Sequence, residues 1–187
     1  GITLSHSEEI SIEDLFLPFL EEQAALPRVL AHRDYHSRNI MVLDRMTGGR
    51  RDLRILDFQD ARMGSAYYDL SSLLRDSYVT LSGKAVAHLC YAYRHASPSG
   101  LKAAWGDPAA FDYRLDLASL QRNVKAIGTF GNQADNRGKT FYLRFIPPTV
   151  AHLCANFDRN PRMRPLARKL LPILSAISSK AAEETPP

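Results

Sequence analysis

The sequence predicts an α+β fold that is mainly helical, with one short β-hairpin set among the helices. Two observations carry this expectation. Two apolar runs, Ile40-Met41-Val42-Leu43 and Leu53-Arg54-Ile55-Leu56, flank Thr47-Gly48-Gly49-Arg50, a turn signal between two strand-length segments. Further along, apolar residues recur at helical spacing, as in Val86, Leu89, Cys90 and Tyr93. With 187 residues, 45% of them hydrophobic and 24% charged, the chain is long enough to bury a core of its own. No run approaches the roughly 18 apolar residues of a membrane span. The opening GITLSHSEEI also lacks the basic-then-apolar order of a signal peptide.

Taken in order, residues 11–26 read as a helix with Ser11 as N-cap, acids in the first turn, and Pro18 as a kink or a division. Leu15, Phe19 and Leu26 supply part of its apolar face, and Pro27 resets the chain. A short strand over 29–31 and a polar loop over 33–38 lead into the hairpin, whose turn type stays open. Residues 61–64 read as a turn and 65–79 as a helix. A helix over 83–96 ends at Ser97-Pro98-Ser99-Gly100. Asp107 caps a long helix over 108–127, with Pro108 at its first position. A polar loop over 132–139, a helix over 140–156 interrupted at Pro147-Pro148, and a helix over 164–180 complete the core. Residues 181–187 read as a flexible tail.

Chemistry concentrates between Leu30 and Asp60. His32-Arg33-Asp34 precedes Asn39, and Asp57-Phe58-Gln59-Asp60 follows across the hairpin. That order suits phosphoryl transfer, which needs a carboxylate to orient the attacking hydroxyl and hard oxygen ligands to hold Mg²⁺ on the ATP phosphates. Asp34 fits the first role, and Asn39 and Asp57 the second. Pairing the two strands places Asn39, at the start of one, beside Asp57, at the end of the other. Arg33 and His36 then shape the loop around the base.

The run HRDYHSRN, followed by LDFQDARMGSAYYDLSSLL, resembles the aminoglycoside phosphotransferase and choline kinase superfamily, whose fold is that of protein kinases. DFQDA, YDL-x-SLL-x-D and the later LQRNVKAIGTF resemble, more narrowly, bacterial kinases of the anomeric hydroxyl of N-acetylmuramate and N-acetylglucosamine. The resemblance implies a kinase-like C-terminal lobe over residues 1–180, with a catalytic loop at 30–43, a metal motif at 53–60 and a helical subdomain at 65–180. It implies ATP and Mg²⁺ as cofactors and an amino sugar as acceptor. It also assigns Asp69 a bracing role on the catalytic loop, with His32 beside it, and makes Gln59, Asp60, Asp76, Arg122, Asn123 and Lys125 candidate acceptor contacts. Other alcohols, such as aminoglycosides, choline-like amines or homoserine, remain as acceptors, and a non-catalytic pseudokinase or interaction module is the alternative outside enzymes.

Departures from the protein-kinase pattern narrow the class. Gln59 replaces the glycine that follows Asp-Phe, and the next helical segment begins too soon for a peptide-docking activation segment. A small-molecule acceptor follows. No glycine-rich phosphate loop and no lysine in a Val-Ala-Ile-Lys-like strand precedes Leu30, so an N-terminal lobe of the same polypeptide is expected as the partner, with the isolated chain inactive without it. The first residue, Gly1, fits a piece of a longer protein.

The formal net charge of +4 is modest and its basic residues are scattered, which argues against nucleic acid and suits attraction of ATP. Cys90 and Cys154 lack CxxC neighbours and read as buried free thiols of a cytoplasmic protein, without a membrane partner. His6, His88, His95 and His152 have no partners at ligand spacing.

Overall fold

A computed structural model describes residues 3–184. The chain divides into two compact units, one of Leu26–Leu115 and one of the segments before and after it.

In the Leu26–Leu115 unit, β1 (Arg28–Ala31) pairs antiparallel with β4 (Arg62–Ser65), and β2 (Ile40–Thr47) pairs antiparallel with β3 (Arg50–Ile55). The β2–β3 connection is the two-residue loop Gly48-Gly49, with φ of 58° and 76°. Positive φ at both positions is what a type I′ hairpin requires and what glycine alone supplies without strain. The expected turn at 61–64 is instead strand β4. Backbone pairing sets that outcome: Val29 lies opposite Gly64, and a Cβ at Gly64 would come within 3.2 Å of Ala31 Cβ.

Helix α2 (Tyr68–Leu74) is far shorter than the expected 65–79. Ser71 and Ser72 both turn their hydroxyls onto the Tyr68 carbonyl, and serine bonding back to its own helix weakens the helix interior. Helix α3 (Gly83–Ala96) matches its expectation, capped by Ser82. A further short helix, α4 (Ser99–Ala104), follows where the sequence predicts only a terminating turn. The core of this unit is aromatic. Tyr67 and Trp105 meet edge to face at 5.1 Å, and Phe111 lies 5.1 Å from Tyr67; all three are essentially sealed from solvent.

The other unit is helical. Helix α1 (His6–Ala24) begins before Ser11, because Ser5 and Glu8 form a capping box that satisfies the first free N–H groups. Pro18 lies inside it without dividing it. Helix α5 (Pro108–Arg137) runs through the expected loop at 132–139. Ile127, Phe130 and Ala134 are buried along it, and tertiary packing of this kind outweighs the propensity cost of Gly128 and Gly131. Residues Thr140–Phe145 form a 3₁₀ segment leading into α6 (Ile146–Arg159). Pro147 and Pro148 thus sit in the first turn of α6, where proline's missing N–H costs nothing. Helix α7 (Arg164–Glu184) packs on α6 and α1 and carries the first four residues of the expected tail; residues 185–187 lie outside the described residues.

A buried polar clamp joins α5 to α6. Asp116 takes two hydrogen bonds from the Arg159 guanidinium, at 2.8 and 2.6 Å, and a third from Asn160 at 3.0 Å. Cys90 and Cys154 are free, as expected, but half-buried rather than enclosed.

Candidate active site

The site is assembled on the Leu26–Leu115 unit from the loop after β1 and the ends of the β2–β3 hairpin. Strand β1 delivers the chain at Ala31, which is 1% exposed. The next two backbone N–H groups, of His32 and Arg33, donate to the two carboxylate oxygens of Asp69 at 2.6 and 2.9 Å. Asp69 lies in the first turn of α2, where the helix dipole favours an anion. Arg33 has φ of 77°, a left-handed conformation that a long side chain rarely adopts. The paired N–H bonds to Asp69 over-determine that conformation, as strain at a functional loop requires.

His32 ties this loop to the hairpin. Its Nδ1 accepts the N–H of Asp34 at 3.3 Å, so the ring proton resides on Nε2, which donates to the Leu56 carbonyl at 2.8 Å. Asn39 closes the same circuit. Its Nδ2 donates to the Asp34 carbonyl at 2.9 Å, while its backbone carbonyl accepts the N–H of Leu56 at 2.9 Å. Asp34, Asn39 and the residue before Asp57 are therefore joined by direct hydrogen bonds. Asp57 follows with φ of 66°, a second left-handed non-glycine residue.

The donor set suits a hard cation. With Nδ2 of Asn39 committed to a carbonyl, its Oδ1 is the atom left to face a ligand, and Asp57 adds a carboxylate on an exposed stretch. Among the described residues no three His, Cys, Asp or Glu side chains form a ready-made metal cage. Mg²⁺ does not need one, because it is usually held by one or two carboxylates together with water and substrate phosphates. Gln59 donates its amide to Asp57 Oδ1 at 2.6 Å, which places it on the candidate metal carboxylate. Asp60 is exposed beside it.

Other expected site residues fall elsewhere. Asp76 is not on a helix face beside Asp69, because α2 ends at Leu74; it is 2% exposed and turned inward. His36 sits edge-on to the Tyr78 ring at 5.0 Å. In the other unit, Asn123 is fully enclosed, donating to Ser119 and accepting from Arg122, whereas Lys125 is exposed. Arg122, Asn123 and Lys125 thus do not present one common surface.

Beside the loop opens a pocket of about 480 Å³, lined by Leu30, Tyr35, Asp69, Leu73, Leu89 and Tyr93 among others. The Tyr93 hydroxyl donates to the Ala66 carbonyl. Burial, reinforced by the nearby Asp69 charge, pushes its phenol up to about 12. Periodicity showed Tyr93 as a helix-face residue, and nothing in the sequence revealed that bond. The left-handed backbone was equally invisible at Arg33, a residue type that gives no sign of it, and at Asp57, where aspartate's tolerance of positive φ is too weak a signal.

Residues 8–110 match the family model described as the phosphotransferase enzyme family. The chain is 33% identical over 174 residues to the N-acetylmuramate/N-acetylglucosamine kinase of Pseudomonas aeruginosa, covering 91% of this chain and 47% of that protein. It is 34% identical over 168 residues to the protein of the same name from Neisseria meningitidis, covering 88% and 46% respectively. The Pseudomonas putida counterpart is 29% identical over 167 residues, covering 89% and 47%. The chain spans about half the length of these curated relatives.

Proposed function

The chain belongs to the phosphotransferase enzyme family, and we propose that it is the catalytic C-terminal lobe of an ATP- and Mg²⁺-dependent kinase that phosphorylates a hydroxyl of an amino sugar. The observation that carries this reading is the hydrogen-bonded circuit from Asp34 through Asn39 and Leu56 back to His32. It supports the reading because Asp34, Asn39 and the chain entering Asp57 are tied together at one end of a hairpin, in the order that phosphoryl transfer uses. The names of the relatives support the amino-sugar acceptor.

Asp34 orients the sugar hydroxyl and accepts its proton as the new O–P bond forms and the bond to the departing ADP oxygen breaks. A loose transition state asks for little basicity, so an ordinary carboxylate held in place suffices. Asn39 Oδ1 and the Asp57 carboxylate would hold Mg²⁺, which supplies charge neutralisation at the phosphates when bound. Asp69 and His32 keep the loop in its strained shape, and Arg33 and His36 form its walls. Gln59 and Asp60, beside the ligand carboxylate, are the nearest candidates for acceptor or phosphate contacts.

An N-terminal lobe of the same polypeptide is the natural cover for the hairpin. Val42, Leu53 and Ile55 are apolar yet 55%, 54% and 48% exposed, and Phe58 is 68% exposed. Contiguous apolar surface of this kind marks an interaction site. A cytoplasmic location fits the two free cysteines. No described helix is long and apolar enough to cross a membrane.

The test is an acceptor panel on the full-length enzyme with Mg-ATP, comparing N-acetylmuramate and N-acetylglucosamine with aminoglycosides, choline and homoserine. Phosphorylation of the amino sugars at kcat/KM at least tenfold above the other acceptors is expected. Preference for one of the others would displace the amino-sugar assignment. A protein that binds no nucleotide in the presence of Mg²⁺ would be a non-catalytic module.

A further inference from the structure

The catalytic loop has a second anchor beyond Asp69. The N–H of Ser37 donates to Asp76 Oδ2 at 2.8 Å, and Asp76 Oδ1 accepts the N–H of Tyr78 at 2.8 Å. Asp76 is 2% exposed, so these bonds are made largely out of water's reach, where charge-assisted bonds to a carboxylate are strong. The Tyr78 ring extends the contact on both sides, meeting His36 edge-on at 5.0 Å and lying 4.0 Å beneath the Arg38 guanidinium. Three consecutive loop residues, His36, Ser37 and Arg38, therefore rest on Asp76 and Tyr78.

Asp34 lies between the two anchors, and Asn39 follows directly after the second. Ser37–Asn39 is a single 3₁₀ turn, closed by the Asn39 N–H donating to the His36 carbonyl at 2.9 Å. A restraint on Ser37 is consequently a restraint on the turn that carries Asn39. We propose that Asp76 is a positioning residue for phosphoryl transfer, fixing through the Ser37 amide the placement of Asn39 relative to Asp34. This inference rests on the kinase reading and deepens it: Asp76 acts on the loop backbone and not on the acceptor. A displacement of about 1 Å at such a site can cost on the order of 100-fold in rate.

One substitution isolates the link. Ser37→Pro removes the N–H that Asp76 holds and leaves the Asp76–Tyr78 bond intact. The backbone tolerates it, because His36 has φ of −130° and ψ of 170°, the extended conformation that a residue before proline adopts, and Ser37 opens its turn. The Ser37 hydroxyl is buried without a hydrogen-bond partner, so Ser37→Ala is the control for its loss.

In the full-length enzyme, Ser37→Pro is expected to melt within a few degrees of wild type yet lose roughly 10- to 100-fold in kcat, with KM for ATP changed less than about threefold. Ser37→Ala, which keeps the N–H, is the reference from which the loss in Ser37→Pro is read. A Ser37→Pro enzyme with kcat within twofold of wild type would overturn the proposal. A second measurement does not depend on the kinase reading: amide hydrogen exchange in the full-length protein, wild type against Asp76→Leu. At least about tenfold faster exchange at Ser37 is expected, because leucine, of similar size, offers its N–H no acceptor. Unchanged protection there would overturn the proposal even if the enzyme proves to be an amino-sugar kinase, whereas an inactive wild type with the expected exchange would instead count against the kinase reading.

Discussion

Asn39 donates its side-chain amide to the backbone carbonyl of Asp34 at 2.9 Å, so the residue proposed as a metal ligand also holds the backbone of the proposed base. One bond thus couples the two halves of the chemistry, and it dictates which way the Asn39 amide faces.

The coupling makes Asn39→Asp more damaging than its added charge suggests. A carboxylate can ligate a cation but cannot donate to the Asp34 carbonyl, and two acceptors would face each other there. Mn²⁺ titration, followed by the paramagnetic signal of the free ion, should show affinity for Asn39→Asp equal to or above wild type while kcat falls at least about tenfold. Asn39→Ala should lose both affinity and rate.

Tyr93 sets a pH dependence on stability. Its phenol is raised from 10.0 to about 12 in the folded chain, first by burial and then by the Asp69 and Tyr67 charges. Above the unfolded value the unfolded chain loses this proton first, so it binds fewer protons and stability falls as pH rises. The contribution is complete below about pH 10 and is lost between there and about 12. Denaturant unfolding at pH 9 and pH 11 should show the fall, and Tyr93→Phe should reduce it, leaving the part due to Tyr67, whose phenol is also raised by burial, while costing about 1 kcal/mol for the lost bond to Ala66.

Gly64 is fixed by its neighbour. In Gly64→Ala the new Cβ lies 3.2 Å from Ala31 Cβ, an atom that cannot rotate away because it is attached directly to the backbone. Relief requires β1 and β4 to separate, and a loss of about 1 to 3 kcal/mol is expected by chemical denaturation. A neutral result would mean that the sheet moves freely at this point.

Asp116 tests the helical unit. Replacing it with Ala takes the acceptor from the Asn160 amide and from the half-exposed Arg159 guanidinium, which keeps Asn156 Oδ1 as a partner, and a loss of about 1 to 3 kcal/mol is expected. Replacing Arg159 with Met should be less harmful only if Asp116 is changed with it, and a double-mutant cycle measures that coupling.

The sequence was most legible where local chemistry and tertiary structure agree. Gly48-Gly49 between two apolar runs predicts the hairpin, and the same pairing that brings Asn39 to the end of β3 is visible from residue spacing. Helix α3 was readable end to end because Ser82 caps it and Ser97-Pro98 stops it. Failures came where a distant or competing partner decided the outcome. Strand β4 exists because β1 is there to pair with it. Helix α2 stops early where its serines bond to their own backbone, and beyond that stop Asp76, expected as an acceptor contact, is buried and accepts from the loop at Ser37. Helix α5 continues through two glycines because Phe130, between them, and Ala134, beyond them, are buried. In the site, the order of Asp34, Asn39 and Asp57 is legible in motif spacing and Asp69 enters through the family resemblance, whereas the left-handed backbone at Arg33 and Asp57 belongs to the folded loop alone.

The most direct measurement of the central claim is transfer of the ATP γ-phosphate to N-acetylglucosamine by the full-length enzyme, followed by ³¹P NMR, in wild type and Asp34→Asn. If Asp34 orients the hydroxyl and takes its proton, the variant should keep wild-type thermal stability and nucleotide affinity while its kcat falls by about 100-fold or more. A variant that retains more than about a tenth of the wild-type rate would contradict the assignment of Asp34 as the base.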